Sequence, residues 1–116
     1  MQYMCLIYSN PQAGPQPGSA EFSELLAAYN TFTNEVTENG MMVSGDALQP
    51  VTTASTVTME NGKMEVTDGP FAETKETLGG YYLLECESLD QALEYAAKIP
   101  TAKHGRIEVR PVMVFD

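Results

Sequence analysis

Tyr3-Met4-Cys5-Leu6-Ile7-Tyr8 is apolar at every position, and Ser9-Asn10-Pro11 follows it with turn chemistry. A short unbroken apolar run ended by a turn predicts a strand covered on both faces. From Pro11 to Gly18 come three prolines and two glycines; such a stretch cannot sustain regular hydrogen bonding and predicts a loop, mobile or acting as a lid. Beyond it Phe22, Leu25, Leu26, Tyr29, Phe32 and Val36 recur at steps of three and four, the spacing of one apolar helical stripe. Ser19 can cap the free amides of that helix, Glu21 and Glu24 suit the positive end of its dipole, and Asn39-Gly40 offers a left-handed stop.

Met41-Met42-Val43 opens a second strand that ends near Leu48-Gln49-Pro50, and Ala54 to Glu60 alternates threonine with apolar residues as a third. Asn61-Gly62 separates Thr56–Glu60 from Lys63–Thr67, and this dipeptide favours the two positive φ angles of a type I′ turn, so a hairpin is predicted with one wet face. Leu78 to Cys86, entered through Gly79-Gly80 and again apolar on both faces at Tyr81-Tyr82-Leu83-Leu84, predicts a central strand. Ser88 and Gln91 have capping-box spacing ahead of the stripe Leu89, Ala92, Leu93, Ala96, Ala97 and Ile99, which Pro100 closes. Ile107 to Phe115 is the last predicted strand, at an edge or bulged because Pro111 lies within it.

The order β, α, β, hairpin, β, α, β is the plan of an α+β, ferredoxin-like split βαβ fold with an inserted β-hairpin, as one domain over residues 1–116. Two helices on one side of the sheet leave its other side uncovered, yet both long apolar strands are greasy on both faces. A second copy packed on that side resolves the conflict, so the expected assembly is a homodimer in which two sheets approach a dimeric α+β barrel.

The 116 residues suit a single core. With 16 Asp and Glu against 6 Lys and Arg the net charge is −10, which repels phosphate backbones and anionic lipid, so neither nucleic acid nor membrane is an expected partner. No apolar run approaches the roughly 20 residues of a membrane span. Cys5 and Cys86 lie in apolar runs and read as buried free thiols, and no charged segment leads into a long apolar stretch at the N-terminus, so a cytoplasmic location is expected. One histidine and two separated cysteines give no ligand spacing, so no metal and no cofactor is expected.

Asp68-Gly69-Pro70-Phe71-Ala72-Glu73-Thr74-Lys75-Glu76 puts a turn, an aromatic ring and four ionisable side chains between two strands. With Leu78-Gly79-Gly80-Tyr81-Tyr82, Ile107-Glu108-Val109-Arg110-Pro111-Val112, Leu48-Gln49-Pro50 and Ser88-Leu89-Asp90-Gln91-Ala92, this loop resembles the signature of the DGPF subgroup of the YCII-related family. The resemblance covers essentially the whole chain and implies a dimeric α+β barrel without an established activity. Some relatives in the wider family are similar to small-molecule enzymes with a His–Asp pair in the cleft. This chain departs from them: its single histidine, His104, sits in the turn Thr101–Gly105 rather than early in the first helix.

Asp68 has two readings, a brace for the turn in which Gly69 and Pro70 fix the backbone, or a general base with Lys75 as charge partner for an anionic substrate. Glu108 and Arg110, two apart on one strand, project from the same face, and Arg110 could grip a carboxylate bidentately or serve as an internal ion-pair partner. Tyr3, Tyr8, Tyr81 and Tyr82 could line a site for a flat organic ligand or pack the core. Two functions are therefore open: a small-molecule-binding protein or enzyme acting on an anionic or phenolic compound in a cleft at the dimer sheet built from Asp68, Arg110 and the sheet tyrosines, or a non-catalytic accessory module.

Overall fold

In the computed structural model, which describes residues 1–115, the chain runs β1 (Gln2–Ser9), α1 (Ala20–Glu38), β2 (Met42–Ala47), β3 (Ser55–Glu60), β4 (Lys63–Asp68), β5 (Thr77–Glu85), α2 (Leu89–Ala96) and β6 (Arg106–Pro111). Short 3-10 turns cover Val51–Thr53 and Pro100–Lys103. The main sheet has the order β2-β5-β1-β6, antiparallel throughout, and β3-β4 forms a separate two-stranded hairpin. This is the α+β, ferredoxin-like arrangement that the element order implies.

Strand alternation decides which residues form the core. Tyr3, Cys5 and Ile7 of β1 and Tyr82 and Leu84 of β5 point to one side, where they pack with Phe32 and Val36 of α1, Ala92 and Ala96 of α2, and Ile99. Met4, Leu6, Tyr8, Tyr81 and Leu83 point to the other side and are half-buried by their neighbours in the sheet. Both helices feed the same core cluster, so this second side carries no helix.

The ends of the elements follow their local chemistry. Ser19 Oγ accepts from the Phe22 amide at 3.1 Å, and Gly40 stops α1 with φ at 73°. Asn61 and Gly62 take φ of 52° and 78°, the two positive angles of the type I′ turn. Ser88 Oγ accepts from the Gln91 amide at 3.1 Å, but the Gln91 side chain reaches one residue further back than a capping box requires, accepting from the Glu87 amide at 2.7 Å. Replacing Ser88 by alanine should lower stability by about 1 kcal/mol in urea unfolding, because it frees an amide that no other group satisfies.

Three expectations are corrected. On α2 the buried stripe narrows to Ala92 and Ala96, with Leu89 and Leu93 exposed, since a helix of eight residues presents little more than two turns to the sheet. On α1 only Phe32 and Val36 are buried, and Leu26 is 51% exposed. The last strand ends at Pro111 rather than Phe115; β6 is an edge strand, as a proline there requires, and Met113, Val114 and Phe115 follow it exposed.

Cys5 and Cys86 are free and buried. Burial, with the nearby Cys86, pushes the Cys5 thiol up to about 11 from an ordinary value of 9.0. A raised thiol pKa means that the unfolded chain releases its proton first, so stability holds below pH 9 and falls as pH rises from 9 towards 11. Urea unfolding at pH 7.5, 9 and 10.5 should show this fall, on the order of 2 kcal/mol at full extent, and Cys5→Ala should flatten it.

Candidate functional site

The N-terminal half of α1 stands off the sheet because the strands beneath it lack side chains. Gly45 of β2 and Gly79 and Gly80 of β5 lie opposite Phe22, Leu25 and Leu26, and the space left between them is a cavity of about 450 Å³. Gly45 and Gly80 cannot be replaced without moving backbone, whereas Gly79 has room for a Cβ, with only Ile7 O at 4.0 Å. A Cβ on Gly80 would sit 2.8 Å from the Asp46 carbonyl oxygen, and one on Gly45 would sit 2.9 Å from that of Tyr81. The same absence of side chains that lets β2 and β5 approach closely therefore opens the cavity.

Aromatic rings and hydroxyls furnish its inner wall. The Tyr29 and Tyr82 rings are nearly parallel, 6.4 Å between centroids and 12° between planes, and Phe32 meets Tyr82 edge-on at 5.0 Å. Tyr29 Oη lies 2.5 Å from Thr101 Oγ1, and Thr33 Oγ1 lies 2.7 Å from Tyr82 Oη. Burial raises the Tyr29 pKa, so its hydroxyl stays protonated at neutral pH. At the β2 edge Asp46 is the one charged residue of the lining, but it stands in register with Tyr81, and its Oδ2 accepts from Tyr81 Oη at 2.9 Å on the side of the sheet that carries no helix. That hydrogen bond, more than any other influence, raises the Tyr81 pKa.

The YCII-related domain matches residues 1–116, the full length of the sequence. The chain belongs to the YCII-related family. It is also 34% identical over 117 residues to an uncharacterized protein of Rhizobium meliloti (strain 1021), covering 99% of this chain and 94% of that protein.

Within this YCII-related chain the residues singled out from sequence do not converge. Glu108 and Arg110 share a face, as their spacing requires: their register partners Leu6 and Met4 place them on the side of the sheet that carries no helix. Tyr3 and Tyr82 are corrected to the opposite side, buried among the helices, because each stands in register with, or two residues along from, the core-facing positions of β1 and β5. Tyr82 thus reaches the cavity under α1, while Tyr3 packs in the core.

The Asp68 loop lies elsewhere again. Asp68 ends β4 opposite Ser55, exposed, and among the described residues its carboxylate has no hydrogen-bond or ion-pair partner. The turn is braced instead by backbone and threonine: the Gly69 amide donates to Ala54 O at 2.7 Å, and Thr56 Oγ1 donates to Gly69 O at 2.8 Å. Gly69 takes φ of 98°, a conformation that other residues rarely adopt. Phe71 is 89% exposed and Lys75 is exposed without an ion pair among the described residues, whereas Glu76 pairs with Arg106 at 2.9 Å. His104 is exposed outside the cavity, against Gly14 of the proline-rich loop.

The residues that sequence reasoning passed over are Thr33, Thr101, Asn30 and the three glycines. A signal was present: Gly45 interrupts one strand and Gly79-Gly80 another, and glycine inside a strand marks a close approach or a space for a ligand.

Proposed function

We propose that this YCII-related protein binds a small, flat, uncharged aromatic compound of the phenol class in the cavity beneath α1. The observation that carries the reading is a pocket of about 450 Å³ whose walls join apolar side chains to the parallel Tyr29 and Tyr82 rings, a volume and chemistry suited to one or two fused rings. Thr33, Thr101 and Asn30 supply hydroxyl and amide groups at its edge. The lining has Asp46 as its charged residue and no Lys or Arg, so of the two ligand classes open from sequence, phenolic and anionic, the phenolic one is favoured. An anion there would lose its hydration without gaining a cation. Asp68 and Arg110 lie outside the cavity, and this reading assigns them no contact with the ligand.

Assignment to the DGPF subgroup rests on Asp68-Gly69-Pro70-Phe71 as these residues stand in the chain, and a cytoplasmic location fits the two free, buried thiols. A second reading, an accessory module that docks another protein, draws on the exposed Phe71 of that loop.

Calorimetric titration separates the possibilities. 1-Naphthol should bind the wild type, and 1-naphthoate at least tenfold more weakly. Leu26→Trp, at an exposed position that lines the cavity, should abolish naphthol binding without changing the melting temperature, and Arg110→Ala should leave it unaltered. Naphthol binding equally well to Leu26→Trp, or binding lost in Arg110→Ala, would refute the assignment.

A further inference from the structure

An acidic residue or its amide stands directly before glycine at Asn39-Gly40, Asn61-Gly62 and Asp68-Gly69. Such pairs share a latent reaction, in which the glycine amide nitrogen attacks the side-chain carbonyl carbon of the residue before it. Glycine allows this because it has no Cβ to hinder the approach and its backbone turns freely, and asparagine so placed is thermolabile. The fold decides whether the reaction proceeds. It needs an amide that is not held in a hydrogen bond, and a backbone free to rotate until nitrogen and carbon meet.

Asn39-Gly40 has neither freedom. At the end of α1 the Gly40 amide donates to Thr37 O at 3.1 Å and the Asn39 amide to Glu35 O at 3.0 Å. The Asn39 side chain is held as well, its Nδ2 donating to Tyr95 Oη at 3.0 Å. Val36 and Met41, on either side of this cap, are 0% and 6% exposed, so the cap moves only with the core. At Asp68-Gly69 the glycine amide donates to Ala54 O at 2.7 Å, and a carboxylate is in any case a far poorer electrophile than a carboxamide.

Asn61-Gly62 differs on each count. These two exposed residues are the whole turn of the β3–β4 hairpin, and among the described residues the Gly62 amide donates to no backbone carbonyl. The hairpin is a sheet of its own, with every residue of β4 exposed. A two-stranded hairpin is marginal by itself in water, so its tip opens at little cost and the Asn61 backbone can rotate. Local sequence does not separate the two asparagines, since Glu38 precedes one and Glu60 the other.

We propose that Asn61 is a deamidation site of the folded protein, while the fold protects Asn39 and Asp68 from the same chemistry. The Gly62 amide nitrogen gives up its proton and bonds to Asn61 Cγ; the Cγ–Nδ2 bond breaks, and Nδ2 takes up that proton and leaves as ammonia. Water then opens the cyclic imide at either carbonyl, which leaves aspartate or isoaspartate at position 61 without any oxidant or reductant.

The two products have different consequences. Aspartate before glycine suits a type I′ turn as asparagine does, so the hairpin persists with one more negative charge beside Glu60. Isoaspartate carries the main chain through the former side chain and adds a methylene to a two-residue turn. The pairing of Glu60 with Lys63 and of Met59 with Met64 then loses its register. No residue of the hairpin lines the cavity beneath α1, so that site is left intact.

Peptide mapping by mass spectrometry of the full chain, stored at mildly alkaline pH and body temperature, tests the assignment. Asn61 should convert at least tenfold faster than Asn39, with no isoaspartate at Asp68, and in concentrated urea Asn39 should accelerate to nearly the rate of Asn61. The isoaspartate form, separated by ion exchange, should show shifted amide resonances from Val57 to Val66 and unmoved ones at Thr33, Gly45 and Gly80. Equal rates at Asn39 and Asn61 in the native chain, a native Asn61 that stays intact while the chain in urea converts, or an isoaspartate form with wild-type hairpin resonances would each overturn it.

Discussion

Replacing Leu84 by alanine should lower the unfolding free energy by about 3 kcal/mol, within the range of large-to-small substitutions at sealed core sites. Leu84 is 0% exposed, and β5 holds it in register with Tyr3 of β1 on one side and Met42 of β2 on the other. The gap left by the lost methyl groups is bounded by sheet on both flanks and helices above, so little can collapse into it. For a chain of this length the melting temperature should drop by roughly 12 °C, which differential scanning calorimetry reads directly. A loss below about 1 kcal/mol would mean that the sheet is not centred on β5 and β1.

Gly105→Ala should be comparably damaging for the opposite reason. A Cβ at this position would fall inside the van der Waals radius of the Tyr8 carbonyl oxygen, with Thr101 Cγ2 at 2.9 Å and Ser9 Cβ at 3.1 Å. The Gly105 amide also donates to Thr101 O at 2.7 Å, so the backbone cannot withdraw without losing that bond. Overpacking of this kind costs about 3 kcal/mol, and it forces apart β1 and the turn that leads into β6. Urea unfolding checks it. A variant as stable as the wild type would show that this turn can shift away from β1.

Much of the architecture is legible in the chain because its signals are local. Ser19 and Gly40 bound α1, Asn61-Gly62 dictates the hairpin turn, and Pro111 confines β6 to an edge. The double-sided apolar runs of β1 and β5 correctly announce central strands and a face that the helices leave bare. The candidate site was far less legible. Spacing assigns Glu108 and Arg110 to one face, but it does not say that Tyr82 looks the other way, because the parity of one strand relative to another is set only by register. The cavity is not legible because it is made by missing atoms: the stripe Phe22, Leu25, Leu26 reads as core, and only the fold brings Gly45, Gly79 and Gly80 opposite it. Asp68 stands out in the sequence as a charged residue in an unusual turn, yet the turn is held by Thr56, Gly69 and Ala54 without its carboxylate.

The proposed binding of a phenolic ligand stands or falls with the cavity beneath α1 being the place where that ligand enters. Amide chemical shifts followed by two-dimensional NMR during titration with 1-naphthol test that directly. The largest changes should fall on Thr33, Gly45 and Gly80, with Arg106 to Arg110 and the Asp68 loop undisturbed. Changes centred on β6 or on Asp68 to Lys75, with α1 silent, would contradict it.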